Sequence, residues 1–184
     1  MQKYNSRNEV EEKYKWDLSE LFESDEAYNK AFSRLKENID KLKTYKGCTK
    51  DKNKLYEFLK LDLETSSLEQ RIGIYAFLLN DQELGISKNM DRLNKAQDLE
   101  NDYYNATSFF APELLSLTNE EFDNLFSDDK LSEFKKLLND TYRLKKHILD
   151  EEKEVIINKL NNSALDYDNA SSTMLNSLHD YGTI

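Results

Sequence analysis

One proline stands in this chain of 184 residues, and it falls inside the densest apolar run, Tyr103 to Leu117, YYNATSFFAPELLSL. Proline has no backbone N–H and clashes with the carbonyl four residues earlier, so a helical ladder must be interrupted or restarted at Pro112. The two tyrosines, two phenylalanines and three leucines around it cannot all face water, since burying one such side chain is worth about 1.5–3 kcal/mol. The stretch therefore predicts the end of a long helix and a turn into a short one, packed at the centre of the domain. Only four glycines accompany that proline. Strands joined by tight turns would use more of both, so the chain is expected to be all-α.

Spacing along the chain supports this. Residues 1–12 are polar and predict a loose arm. Asp17 can cap a short turn ahead of Leu18, Leu21 and Phe22, and Trp16 is expected to plug an apolar surface with its ring. Ser24 predicts a helix cap, with Asp25 and Glu26 in the favourable first turn. Tyr28, Phe32, Leu35, Ile39 and Leu42 then recur at three and four, one face of an amphipathic helix, and Gly47 is a natural stop. Asp51 can cap a long helix in which Leu55, Leu59 and Leu63 share one face. Leu68, Ile72, Tyr75 and Leu79 share another, so the buried face is expected to shift, or the helix to bend, near Ser66 and Ser67. The segment from Asn80 to Gly85 ends it.

Ser87 is expected to cap the next helix, carried inward by Met90, Leu93, Ala96, Tyr103, Ala106 and Phe110. Thr118 and Glu121 form a capping box before Phe122, Leu125 and Phe126. Ser127 or Asp128 starts a helix with Leu131, Phe134, Leu138 and Tyr142 inward. Further helices are expected after Asp150 and from about Asp168, with His179 to Ile184 extended. No period-two strand pattern and no fixed-period repeat interrupts the series. The expected architecture is an antiparallel array of about seven to eight helices, some long, forming a single domain over 13–184. A domain of this size buries about 70% of its unfolded surface, enough for a real core.

Chemistry is harder to find. The net charge is −10, and lysines and arginines are interleaved with acids along helix faces rather than clustered, which excludes a nucleic-acid backbone as partner. Cys48 is the single cysteine, so no intrachain disulfide or thiolate cluster can form. It lies in an expected loop with no base supplied beside it, and reads as inert. A zinc-peptidase helix needs two histidines one turn apart. The two present, His147 and His179, stand far apart at expected helix boundaries. Pairs such as Asp128-Asp129 and Glu151-Glu152 are commonplace among 36 acidic residues, and mark helix starts rather than acid–base chemistry. There is no glycine-rich phosphate loop, no apolar signal segment and no run of roughly 18 apolar residues, so a cytoplasmic protein is expected, with no membrane association. No catalytic, cofactor-binding or metal-ligating residue is assigned.

Three segments, in order, resemble the N-terminal part of oligoendopeptidase F, a branch of the thimet-type zinc oligopeptidases. The first is Arg7 to Phe22, through Lys15-Trp16-Asp17-Leu18 and Leu21-Phe22, with Glu11 where the family's pattern has a proline. The second is Ser108 to Leu117, SFFAPELLSL. The third is Tyr142 to Glu154, YRLKKHILDEEKE, a histidine and an acidic stretch before a helix, with Lys146 at another proline position. The family's zinc ligands lie far downstream in a much longer chain and nothing here matches them. The resemblance therefore implies the non-catalytic N-terminal lobe of a zinc metalloendopeptidase of short peptides. Such a lobe walls the substrate cleft and is inactive and zinc-free by itself. Its partners would be the catalytic lobe and short peptides. The alternative is a stand-alone helical interaction module. The reading frame beyond Ile184 discriminates the two. In an isolated lobe, Leu165 to Ile184 is expected either to be disordered at its end or to mediate weak self-association.

Overall fold

The computed structural model describes residues 9–82, 86–127 and 129–147. The chain divides into two compact units, Met1–Tyr142 and Arg143–Ile184, and the architecture below is that of the first. The helices expected after Asp150 and from Asp168, the tail beyond His179, and most of the 1–12 arm lie outside the described residues. Within them there are six α-helices, fewer than the seven or eight expected of the whole chain, and no strand. The all-α class holds.

Helix α1 spans Asp25–Leu42. Ser24 stands before it in extended conformation and its hydroxyl accepts the Ala27 N–H at 3.1 Å, satisfying one of the donors a helix start leaves open. Tyr28, Leu35, Ile39 and Leu42 are buried, with Phe32 packed against them. A 3-10 turn, Lys43–Tyr45, extends the helix to Gly47, whose φ of 87° is left-handed and favours glycine. Both carboxylate oxygens of Glu113 accept the Gly47 N–H, at 2.8 and 2.9 Å.

Asp51 caps α2, accepting the N–H of Asn53 at 2.9 Å and of Lys54 at 3.3 Å. The helix runs unbroken over Lys52–Gln82, 31 residues, about 46 Å at 1.5 Å per residue. The second apolar series goes inward as expected, with Ile72 and Tyr75 buried and Leu68 and Leu79 packed against the core, but Leu63 of the first series is 58% exposed. The buried positions are Leu55, Phe58, Leu59, Thr65, Glu69, Ile72, Tyr75, Ala76 and Asn80. The buried stripe crosses the middle of the helix on polar side chains, and Thr65 stays there because its hydroxyl donates to the Leu61 carbonyl at 2.6 Å.

Helix α3 covers Ser87–Thr107. Ser87 is its first helical residue rather than its cap; Ile86 occupies that position and contributes no side-chain bond. Met90, expected inward, is exposed, and the buried positions are Asn89, Ala96, Leu99, Tyr103 and Ala106. Helix α4, Phe110–Ser116, follows after a break. Pro112 is its third residue, where the N–H would have had no partner, and the carbonyl it would strike belongs to Ser108, in the break itself. Phe109 and Phe110 are half-buried against Phe58, with ring centroids 5.4 and 4.9 Å away.

The capping box starts α5, Asn119–Asn124: Glu121 N–H donates to the Thr118 hydroxyl at 3.2 Å, and Thr118 N–H to the Glu121 carboxylate at 2.8 Å. A 3-10 stretch, Asp129–Phe134, then leads into α6, Lys135–Arg143. Leu131, Phe134 and Leu138 are buried. Tyr142 stacks on Phe122 at 3.9 Å and donates its hydroxyl hydrogen to the Leu117 carbonyl at 2.8 Å.

Helices α1, α2 and α3 each pack on the other two. Tyr28 against Tyr75 with Arg34–Glu64 in α1–α2, and Asn89 to the Leu79 carbonyl with Tyr103–Asp62 in α2–α3, make α2 antiparallel to both neighbours, while Lys88 and Arg92 reach back to Asp25 from the start of α3. Ahead of α1, Asp17 caps its turn by accepting the Ser19 N–H at 2.9 Å. Trp16 does not plug the surface; it is 56% exposed, and Gln82 donates to its carbonyl. Phe22 fills that role, edge-on to Tyr28 and Tyr75 at 5.4 and 5.2 Å, with the Arg71 guanidinium over its outer face.

Candidate functional site

Two small residues, Gly73 on α2 and Ala96 on α3, keep the two helices from filling the space between them. A groove of about 350 Å3 results, walled by Glu69, Gln70, Gly73, Ile74 and Phe77 of α2 and by Leu93, Ala96, Gln97, Glu100 and Tyr104 of α3. Ile74, Phe77 and Tyr104 are each about half exposed and give the groove an apolar rim.

Its floor is acidic. Glu69 is only 9% exposed. A Cβ on Gly73 would lie 3.7 Å from the Glu69 Oε1 oxygen, so the carboxylate is laid along the glycine, toward the hollow. Burial pushes the Glu69 carboxyl above its ordinary pKa, and the nearby Glu100 charge pushes it further. Two turns back along the same stripe, burial also raises Asp62, offset by the hydrogen bond it accepts from the Tyr103 hydroxyl at 2.8 Å. The phenol is raised in turn, first by burial and then by Asp62. Asp62 thus has a donor. For Glu69, no donor or cation is found among the described residues.

This differs from the other acids that meet bases. Asp25 is held by Lys88 at 2.8 Å and Arg92 at 2.6 Å, which lower its pKa. Glu64 pairs with Arg34 at 2.5 Å and Glu133 with Lys60 at 2.8 Å.

Cys48 is buried, and its thiol is pushed up to about 12, by desolvation first and the Glu113 charge second. A thiol held protonated is a poor nucleophile. His147 ends a 3-10 turn, Leu144–His147; its side chain and all of His179 lie outside the described residues. No group of three or more His, Cys, Asp or Glu side chains that could hold a metal occurs among the described residues. Sequence reasoning missed Glu69 because it resembles any other surface acid. The available signal was its spacing: seven residues from Asp62 and fourteen from the buried Leu55, on the same helix face.

Comparison with known proteins follows the same lines. A family model described as Oligopeptidase F matches residues 113–178. Oligopeptidase PepF of Bacillus subtilis is 30% identical over 153 residues, 82% of this chain and 23% of that protein. Group B oligopeptidase PepB of Streptococcus agalactiae is 28% identical over 155 residues, 83% and 26% of the two chains. This chain is related to oligoendopeptidase F. The oligoendopeptidase F homolog of Borreliella burgdorferi extends the match to 97% of this chain at 26% identity, and to 30% of its own length. The chain therefore spans about a quarter of the length of the oligoendopeptidase F relatives it matches. A crystal structure from Chlamydophila abortus, described as a peptidase, superposes with a TM-score of 0.69 at 19% identity, over 96% of this chain and 30% of that one. At that identity the likeness is one of fold.

Proposed function

We propose that this chain is the N-terminal, non-catalytic lobe of a zinc-dependent oligopeptidase of the oligoendopeptidase F type. The lobe walls a cleft that admits short peptides and excludes folded proteins. The observation that carries the reading is the pattern of coverage: similarity runs over four-fifths or more of this chain but about a quarter of its relatives. A rigid three-helix wall fits such a role, because enclosure excludes large substrates sterically and keeps bulk water from the reacting bond.

The family implies a zinc ion. Catalytic zinc takes three protein ligands and keeps a fourth position open. The described donors do not fit, because no three of them converge. In this proposal the ion's chemistry belongs to a catalytic lobe, and this lobe's contribution is positional. No helix of the described residues is long and apolar enough to cross a membrane, and a cytoplasmic setting belongs to the same proposal.

The test is to read the coding sequence beyond Ile184 for an in-frame helix with two histidines one turn apart, and to assay the longer product. Chelator-sensitive cleavage of short peptides, with folded proteins spared, is expected. A coding sequence without such a helix, in a chain that binds other proteins, would establish the second reading instead. That reading, a stand-alone interaction module, draws on the half-exposed Ile74, Phe77 and Tyr104 at the α2–α3 groove.

A further inference from the structure

We propose that the α2–α3 groove is a subsite for a basic side chain, the lysine or arginine of a short peptide, with Glu69 as its counter-charge. The choice of a peptide as occupant rests on the lobe reading above; the choice of a cation rests on the groove itself.

Glu69 is nine-tenths buried, lies along Gly73, and meets no donor or cation among the described residues. The residue is buried as a whole, but its carboxylate oxygens are not sealed from water, so the charge faces the groove where a ligand can reach it. Glu100 lines the same groove from α3. Two like charges across one hollow repel, and a single cation between them relieves both. The walls suit the rest of such a side chain. A lysine or arginine stem packs its methylenes on apolar surface while its head reaches a charge, and Ile74, Phe77 and Leu93 offer that surface. Tyr104 adds an aromatic ring on which a guanidinium or ammonium can rest.

Other occupants fit less well. Two carboxylates without a third ligand do not make a metal site, and none is formed among the described residues. A second copy of a chain carrying a net charge of −10 would bring more negative charge to a negative groove.

The test is calorimetric titration of the 184-residue chain with an end-blocked Ala-Phe-Lys-Ala peptide and its norleucine analogue, which keeps the stem and removes the charge. The lysine peptide should bind at least about tenfold more tightly, the change made by one charged hydrogen bond. Glu69→Gln should abolish the preference, Glu100→Gln should reduce it, and added salt should weaken only the lysine peptide. Melting of Glu69→Gln at or above the parent temperature controls for folding. Equal affinity for the two peptides, no binding to the parent chain, or a preference that survives Glu69→Gln overturns the subsite. So does binding lost in a longer, two-lobed protein, which would assign the groove to an internal basic residue. These outcomes are separable from the lobe reading: a zinc helix downstream with indifference to lysine removes the subsite and leaves the lobe.

Discussion

Phe58 is the sharpest point at which to break this fold. It is fully buried in the second turn of α2 and touched by three rings from other elements: Tyr45 at 6.1 Å, Phe109 at 5.4 Å and Phe110 at 4.9 Å. Phe58→Ala removes the ring and leaves a cavity, because Leu55, Leu59 and the helix backbone cannot follow it inward. The combined transfer and cavity loss for such a change is about 3–5 kcal/mol, and the complete burial of Phe58 puts it toward the upper half. For a protein of this size each kcal/mol lowers the melting temperature by about 2–4 °C, so a drop of roughly 8–20 °C is expected by far-UV circular dichroism. Phe110→Ala, acting on a half-buried ring, should cost about half as much. In the double variant the two losses should fall short of their sum by about 0.5–1.5 kcal/mol, the worth of one aromatic pair. Phe58→Leu, which refills most of the volume, should recover most of the stability. A Phe58→Ala protein melting within about 3 °C of the parent, or strict additivity with Phe110→Ala, would refute the assignment of this contact as the link between α2 and the Pro112 region.

Three further outcomes are expected. Thr118→Ala removes half of the capping box and should cost about 1 kcal/mol, within the usual 0.5–2, read by chemical denaturation. Tyr103→Phe leaves the half-buried Asp62 without its donor and should destabilise by about 1 kcal/mol; a neutral effect would mean that water replaces the phenol. Glu69 has a raised folded pKa, so its favourable contribution is complete below the ordinary value of 4.5 and is lost as pH rises through the folded value. Glu69→Gln should therefore melt higher than the parent at pH 7, by about 1 kcal/mol, and the gain should vanish near pH 4. An equal gain at both values would show that the charge is not the cause.

Much of this fold is legible in the residues. The caps at Ser24, Asp51 and Thr118 and the stop at Gly47 are local devices, each readable from a side chain and its near neighbours, and each stands in the structure. What fails is inference from apolar spacing alone. Leu63 belongs to an apolar series with Leu55 and Leu59, yet it faces out, because the helix keeps its register against α1 and α3 and places Asp62, Thr65 and Glu69 along the inner side. Those residues stay there through partners elsewhere in the chain, as with Tyr103, or through a hollow, as with Gly73, and neither is visible in a single window of sequence. Trp16 fails for a related reason: size predicts burial, but Phe22 with Arg71 over it already closes that surface. The candidate site was the least legible part, since one acid among 36 is distinguished only by what fails to meet it.

The bond between Gly47 and Glu113 bears on the order of assembly. Helices α1 and α2 are neighbours in sequence and can pair as soon as they form, yet the corner joining them is fastened by a carboxylate 66 positions further on. Closing so large a loop is entropically unfavourable until α3 has docked and α4 has followed it. The fastening is therefore expected to form late in folding, and a Glu113 variant tests whether it forms after the rate-limiting barrier. Contacts made that late set how fast a protein comes apart rather than how fast it comes together. Glu113→Gln should accordingly steepen the loss of native protein in denaturant while leaving the refolding rate where it was, which makes this corner a latch on the lifetime of the folded state.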